Sequence, residues 1–160
     1  MVRRKVNKEE ALATLPPTST FALGRGRSTA RAHMAFGQSA HAIRRDVLDT
    51  IIGAAREAMP HEFAATMRAR DGVIYELLFV PGTLSGETSA IMSFYNLPPD
   101  PDIVGSVHSH PSGNYNPSEA DLSLFGKHGT THIIIGFPFT PGTWRGYDAT
   151  GSRRKLEIVE

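Results

Sequence analysis

Two histidines one residue apart, His108 and His110, lie in the stretch GSVHSHPSGNYNPSEAD at residues 105–121. Side chains of a β-strand alternate between its faces, so residues i and i+2 point the same way. Two imidazoles on one face at a strand end supply half of a zinc site. A catalytic zinc has three protein ligands and keeps a fourth position for water. The third ligand is expected to be a histidine or a carboxylate brought back by a loop.

Asp121 is the candidate for that third ligand. The preceding loop, PSGNYNP at residues 111–117, has proline at both ends and Gly-Asn inside, which is typical of a chain reversal. Ser118-Glu-Ala-Asp121 then opens a predicted helix, whose N-terminal dipole favours the ionised carboxylate that a metal needs. The Ser-x-x-Asp pattern is also typical of a capping box, in which the two side chains only begin the helix. The two histidines before it favour the metal site.

The elements that must position these side chains follow from periodicity and turn residues. Apolar residues at helical spacing predict a helix over residues 45–58, which Pro60 ends. Asp71-Gly72 between two extended runs predicts a β-hairpin with a type I′ turn. Further strands are predicted at residues 91–95, 103–110 and 131–137, a helix at 118–126, and a closing hairpin from TWRGYDATG and RRKLEIVE. This order indicates an α+β fold, a mixed sheet flanked by helices.

Composition restricts the class of protein. The chain has 160 residues, enough for one compact domain, and its 40% hydrophobic and 21% charged content is typical of a soluble globular protein. It has no cysteine, which excludes disulfides and sulfur-ligated zinc and fits a reducing compartment. The N-terminus has no apolar signal region, and no apolar run reaches the 20 or so residues that span a bilayer. We therefore expect a cytoplasmic protein with no membrane partner.

Charge divides the chain into two parts. Residues 1–45 carry a net charge of +7, and residues 46–160 carry −6. We interpret residues 1–40 as a basic, irregular N-terminal extension and residues 41–160 as the folded domain. The extension is either a solvated arm on its own acidic domain or a binding site for an anionic partner. It lacks the interleaved aromatic side chains typical of nucleic-acid platforms, which disfavours a nucleic-acid partner.

The spacing His108-x-His110-x7-Ser118-x-x-Asp121 is complete and resembles the JAMM motif of the MPN-plus metalloproteases. The resemblance covers about residues 40–160 and indicates a minimal member of prokaryotic or archaeal type. It implies a curved sheet with layering like that of cytidine deaminases. It also implies one catalytic Zn²⁺ held by His108, His110 and Asp121.

The same resemblance assigns two catalytic residues. Glu62, after the first helix, would be the general base, and Ser118 would donate a hydrogen bond to the oxyanion. Relatives often carry glycine two residues after the glutamate, where this chain has Ala64. That difference removes no catalytic group.

The resemblance also implies a substrate class. Most of its active members hydrolyse the isopeptide bond after the C-terminal Gly-Gly of ubiquitin or a ubiquitin-like protein, and this is the function expected here. One alternative is release of an amino acid from the C-terminus of a sulfur-carrier protein. Another is a non-catalytic MPN scaffold, although scaffolds of this type typically lack one or more zinc ligands. The sequence does not predict an oligomeric state.

Overall fold

A computed structural model describes residues 39–79 and 100–160, which belong to one unit of residues 33–160. Eight strands and two helices follow one another along these residues. In chain order they are β1 (Ala42–Arg44), α1 (Arg45–Ala58), β2 (Ala64–Arg70), β3 (Val73–Leu78), β4 (Ile103–His110), α2 (Glu119–Phe125), β5 (His132–Gly136), β6 (Trp144–Tyr147), β7 (Arg153–Arg154) and β8 (Glu157–Val159). The predicted α+β class is confirmed.

Helix α1 has the predicted bounds and packs one face into the core. The buried residues recur at helical spacing: Val47, Leu48, Ile51, Ile52 and Ala55. They join Ile43, Met67 and Ile135 in the main hydrophobic cluster, which lies against one face of the sheet. Each fully buried aliphatic side chain contributes about 1.5–3 kcal/mol. The helix therefore holds the strands beneath it in one arrangement.

The hairpin β2–β3 forms at the predicted turn. Asp71 and Gly72 both have positive φ, 53° and 77°, as a type I′ turn requires. The two strands pair antiparallel with an irregularity between Arg68 and Ala69. This hairpin lies in the middle of the sheet and borders β4 through β2.

The eight strands form one mixed sheet in the order β7-β6-β5-β4-β2-β3-β1-β8. Strand β4 pairs antiparallel with β2 and parallel with β5, so it is central. Gly105 in β4 lies against the chain before β5, and a Cβ there would be 1.9 Å from the carbonyl oxygen of Thr131. Only glycine permits this approach.

The prediction of a closing hairpin is confirmed for β6 and β7 but is wrong for the end of the chain. Only Arg153–Arg154 pair with β6, whereas Glu157–Val159 pair in parallel with β1 at the other end of the strand order. Leu156 between them is buried in the main cluster, and this burial accounts for the departure from the hairpin. Three residue steps span only about 10 Å. The two edges of the sheet therefore lie close together, which requires the sheet to curve, as the family resemblance implies.

Some predictions fall outside the described residues. They are the strand at 91–95 and nearly all of the basic extension at 1–40. Within residues 39–79 and 100–160, no helix is long and apolar enough to cross a membrane.

Candidate active site

The two histidines of the motif lie at the end of β4 and face away from the main cluster. Val107, which alternates with them, packs into that cluster, so His108 and His110 point to the other face of the sheet. Each histidine is only 8% exposed. Phe125 from α2 covers His108, with ring centroids 6.2 Å apart. The imidazoles therefore lie in a largely desolvated site under α2.

Asp121 contacts both histidines. Its Oδ1 is 2.7 Å from His108 Nδ1, and its Oδ2 is 3.4 Å from His110 Nε2. The carboxylate is 7% exposed. The loop of residues 111–117 thus returns the chain as its turn residues predict. The three side chains expected to be ligands are brought together.

Charge within this group determines its protonation. Burial alone would raise the pKa of Asp121, but hydrogen bonds from His108 and His110 hold it well below its usual range. Burial alone would lower the pKa of His110, but the hydrogen bond to Asp121 and the bond to the Asn114 carbonyl raise it above its ordinary value. The carboxylate is therefore ionised at neutral pH, as a metal ligand must be.

Ser118 and Asp121 also form the capping box. Ser118 Oγ accepts a hydrogen bond from the Asp121 amide at 3.1 Å, and Asp121 Oδ2 accepts from the Ser118 amide at 2.7 Å. The Ser118 hydroxyl additionally donates to Asp121 Oδ2 at 2.8 Å. The two interpretations of this pattern are therefore compatible, because the cap orients the carboxylate toward the histidines.

Glu62 is positioned by the pairing of β2 with β4. Ala64 lies opposite His108, and continuing this antiparallel register by two residues places Glu62 opposite His110. Phe63 secures this end, because its carbonyl accepts from the Ser109 amide at 2.9 Å and its amide donates to Ser109 Oγ at 2.8 Å. The negative charge of Glu62 contributes to the raised pKa of His110. The half-buried Glu62 thus borders the histidine pair, two residues before β2 begins.

His132 is a fully buried histidine at the start of β5. Its ring stacks on Phe125 with centroids 4.0 Å apart, and its Nδ1 accepts from the Ser106 amide at 3.2 Å. Burial, with a smaller contribution from His108, lowers the pKa of His132 to about 3. The ring is therefore neutral in the folded protein at physiological pH.

This neutral histidine predicts loss of stability in acid. Below about pH 6.5 the unfolded chain protonates this imidazole, whereas folded His132 remains neutral down to about pH 3. As the pH decreases through this window, protonation of this group in the unfolded chain should lower the free energy of unfolding by up to about 1.4 kcal/mol per pH unit. Urea unfolding of the metal-free protein between pH 6 and 4 measures this pH dependence. We expect His132→Gln to lack the part that His132 contributes. His61→Gln, at an exposed side chain, is the control. Equal slopes for His132→Gln and wild type would contradict the assignment.

The donor set fits a zinc ion in type, and one of its two distances also fits in length. Two ligand atoms of a tetrahedral zinc lie about 3.4 Å apart, given metal–ligand distances near 2.1 Å. The separation of His110 Nε2 from Asp121 Oδ2 matches this value, whereas His108 Nδ1 shares a proton directly with Asp121. Among residues 39–79 and 100–160, no three His, Asp or Glu side chains are arranged around a common point as metal ligands would be. Zinc binding would therefore replace the His108–Asp121 hydrogen bond.

Comparison with known proteins defines the class. The family model of prokaryotic homologues of the JAB domain matches residues 44–149. A relative from Haloferax volcanii, named a probable metalloprotease, is 39% identical over 128 residues, covering 74% of this chain and 79% of the relative.

Solved structures give the same result. A JAB1/MPN domain protein from Archaeoglobus fulgidus has a TM-score of 0.62 and 39% identity, over 74% of this chain and 99% of its own. A structure presented as "JAMM: A Metalloprotease-like Zinc Site in the Proteasome and Signalosome" has a TM-score of 0.61 and 36% identity, over 76% of this chain and all of its own. Fold and site thus define a JAB/MPN-type protein. The chain belongs to the JAMM metalloprotease family, among the prokaryotic homologues of the JAB domain.

Sequence reasoning missed the groups that orient His110. Its Nδ1 lies 2.8 Å from the carbonyl oxygen of Asn114, and the hydroxyl of Tyr147 bonds to the carbonyl of the next residue, Tyr115. Backbone carbonyls carry no signal in a sequence, and a tyrosine in a predicted hairpin does not indicate which carbonyl it will bind.

Proposed function

We propose that this protein is a zinc-dependent isopeptidase that cleaves after the C-terminal Gly-Gly of a ubiquitin-like protein. The observation that carries the proposal is the contact of Asp121 with both His108 and His110. The β2–β4 register, continued two residues beyond the Ala64–His108 pair, supports a second carboxylate, Glu62, opposite His110. A buried carboxylate with two imidazoles and a separate carboxylate nearby is the composition of a metal-dependent hydrolase site.

Three side chains would hold the metal, namely His108, His110 and Asp121. When bound, zinc polarises a carbonyl and lowers the pKa of a water molecule toward about 7. The protein positions both reactants in a site whose ligands are each less than a tenth exposed. This burial limits competing hydration and strengthens the electrostatic interactions inside the site.

Glu62 acts as the general base and then as the general acid. Its carboxylate accepts a proton from the attacking water and delivers that proton to the leaving amine nitrogen. Its position opposite His110 supports this role, because the attacking water must lie beside the ligands. The reaction breaks one C–N bond, consumes one water, and needs no covalent enzyme intermediate.

Ser118 stabilises the oxyanion that forms on the scissile carbonyl. Its hydroxyl lies next to the proposed ligand Asp121 and donates to it. To donate to an oxyanion instead, the hydroxyl must exchange this acceptor for the substrate oxygen, which is more basic in the tetrahedral intermediate. The cap retains its bond from the Ser118 amide to Asp121 during that exchange.

The buried site supports the choice of substrate. An extended tail ending in two glycines presents no side chain beside the metal, so it can reach ligands that lie under α2 and Phe125. A similar structure is described as a metalloprotease-like zinc site in the proteasome and signalosome. Main-chain pairing along a strand is the common way to hold such a tail.

The experiment that tests the proposal uses a ubiquitin-like protein fused through its C-terminal Gly-Gly. We expect zinc-loaded wild type to cleave this fusion and to lose at least about 100-fold in kcat/KM when the penultimate glycine becomes leucine, because the side chain clashes beside the metal. A chelator should stop cleavage, and added zinc should restore it. Equal cleavage of both fusions would contradict the Gly-Gly preference. Zinc binding without cleavage of any ubiquitin-like fusion or sulfur-carrier adduct would favour a non-catalytic scaffold.

A further inference from the structure

The tautomer of His110 is set by a backbone group of the loop at residues 111–117. The Asn114 carbonyl can only accept a hydrogen bond, so the His110 Nδ1 at 2.8 Å must carry the proton. This leaves Nε2, the atom facing Asp121, as the metal-binding nitrogen. Histidine ligands in metal sites are commonly oriented by such a bond on the other ring nitrogen.

The position of that carbonyl depends on strands far away in sequence. The hydroxyl of Tyr147, in β6, donates to the carbonyl oxygen of Tyr115, the residue after Asn114. Tyr147 is 1% exposed, and its ring lies 6.1 Å from that of Phe125. The donor is therefore held rigidly by the packing beneath α2.

Two further contacts hold Tyr115. Its ring occupies the space left by Gly136, the residue paired with His110 across β4 and β5; a Cβ there would lie 2.6 Å from Tyr115 Cε1. The guanidinium of Arg145 lies 5.0 Å from the centre of the same ring, within cation–π distance. The loop is thus attached to β5 and β6 immediately after the carbonyl that binds His110.

We infer that Tyr147 is a positioning residue for the metal centre, which acts through Tyr115 and the Asn114 carbonyl to keep His110 in its metal-binding tautomer. The inference rests on the proposed function in so far as His110 is a zinc ligand. Tyr147 acts on His110 through a series of contacts. Its hydroxyl fixes the loop, the loop fixes the carbonyl, and the carbonyl fixes the proton on Nδ1.

The test is Tyr147→Phe in the full-length protein, which removes one hydroxyl and keeps the buried ring. We expect about a tenfold weaker zinc affinity, measured by competition with a chromophoric chelator, since outer groups that orient ligands contribute about 10–100-fold. The NMR resonance of the His110 Nδ1–H proton should weaken or shift. Gly136→Ala, which displaces the Tyr115 ring, should give the same two changes. Tyr75→Phe is the matched control, because it removes a tyrosine hydroxyl that contacts Asp102 instead.

The outcomes separate this inference from the proposed function. If wild type and Tyr147→Phe bind zinc equally and show the same Nδ1–H resonance, the inference is wrong while the proposed function stands. If Tyr75→Phe weakens zinc binding as much as Tyr147→Phe does, the effect is general destabilisation and the inference is also wrong. If wild type binds no zinc, the proposed function fails. The Nδ1–H resonance then still decides whether Tyr147 orients His110.

Discussion

Replacing Glu62 by glutamine is expected to lower kcat by about 10²–10⁴-fold while the zinc content stays at the wild-type level. The amide has nearly the same shape as the carboxylate but cannot accept the proton of the attacking water. Glu62 lies opposite His110 at the margin of the site and is not one of the proposed ligands, so the metal should remain. The measurement pairs zinc content with single-turnover cleavage of a ubiquitin-like fusion.

Glu57→Gln is the matched control for this substitution, because Glu57 is an exposed carboxylate in the last turn of α1. It should cleave at the wild-type rate. Cleavage by Glu62→Gln at more than about a tenth of that rate would rule out the general-base role. Loss of zinc in the same variant would instead assign Glu62 to metal binding.

Asp121→Asn is expected to weaken zinc binding by more than about 100-fold. The substitution keeps the size of the side chain and one oxygen, but it removes the negative charge that the two histidines share. Loss of an outer orienting group already costs about 10–100-fold in metal affinity, and loss of a charged ligand should exceed this. Zinc titration against a competing chelator measures the change, and circular dichroism shows whether the fold is retained.

The control for Asp121→Asn must also alter an acid in the first turn of a helix. Asp46→Asn does so in α1, where the carboxylate is exposed and remote from the histidines in the chain. Both variants lose a favourable interaction with a helix dipole, about 0.3–1 kcal/mol. Only Asp121→Asn should lose zinc. Equal zinc affinity in wild type and Asp121→Asn would limit Asp121 to its capping role.

Local interactions explain why much of the fold could be predicted. Helix α1 follows from apolar residues at helical spacing, and the β2–β3 turn follows from Asp71-Gly72, because both signals act within a few residues. The N-terminus of α2 was likewise evident from Ser118-x-x-Asp121. The path of Glu157–Val159 was predicted wrongly, as part of the closing hairpin, because strand pairing between distant segments leaves no local pattern.

The sequence by itself determined the chemical groups of this protein: two imidazoles on one face of a strand, and a carboxylate returned by a loop to the start of a helix. The residue spacing of the motif was enough for that, since strand alternation and helix capping are local. The tertiary structure decided what those groups contact. The β2–β4 register, continued past the Ala64–His108 pair, brings Glu62 toward His110, and the Tyr147 hydroxyl bonds to the loop whose Asn114 carbonyl contacts His110. Both relations join segments more than 30 residues apart, and only packing of the whole sheet brings such segments together.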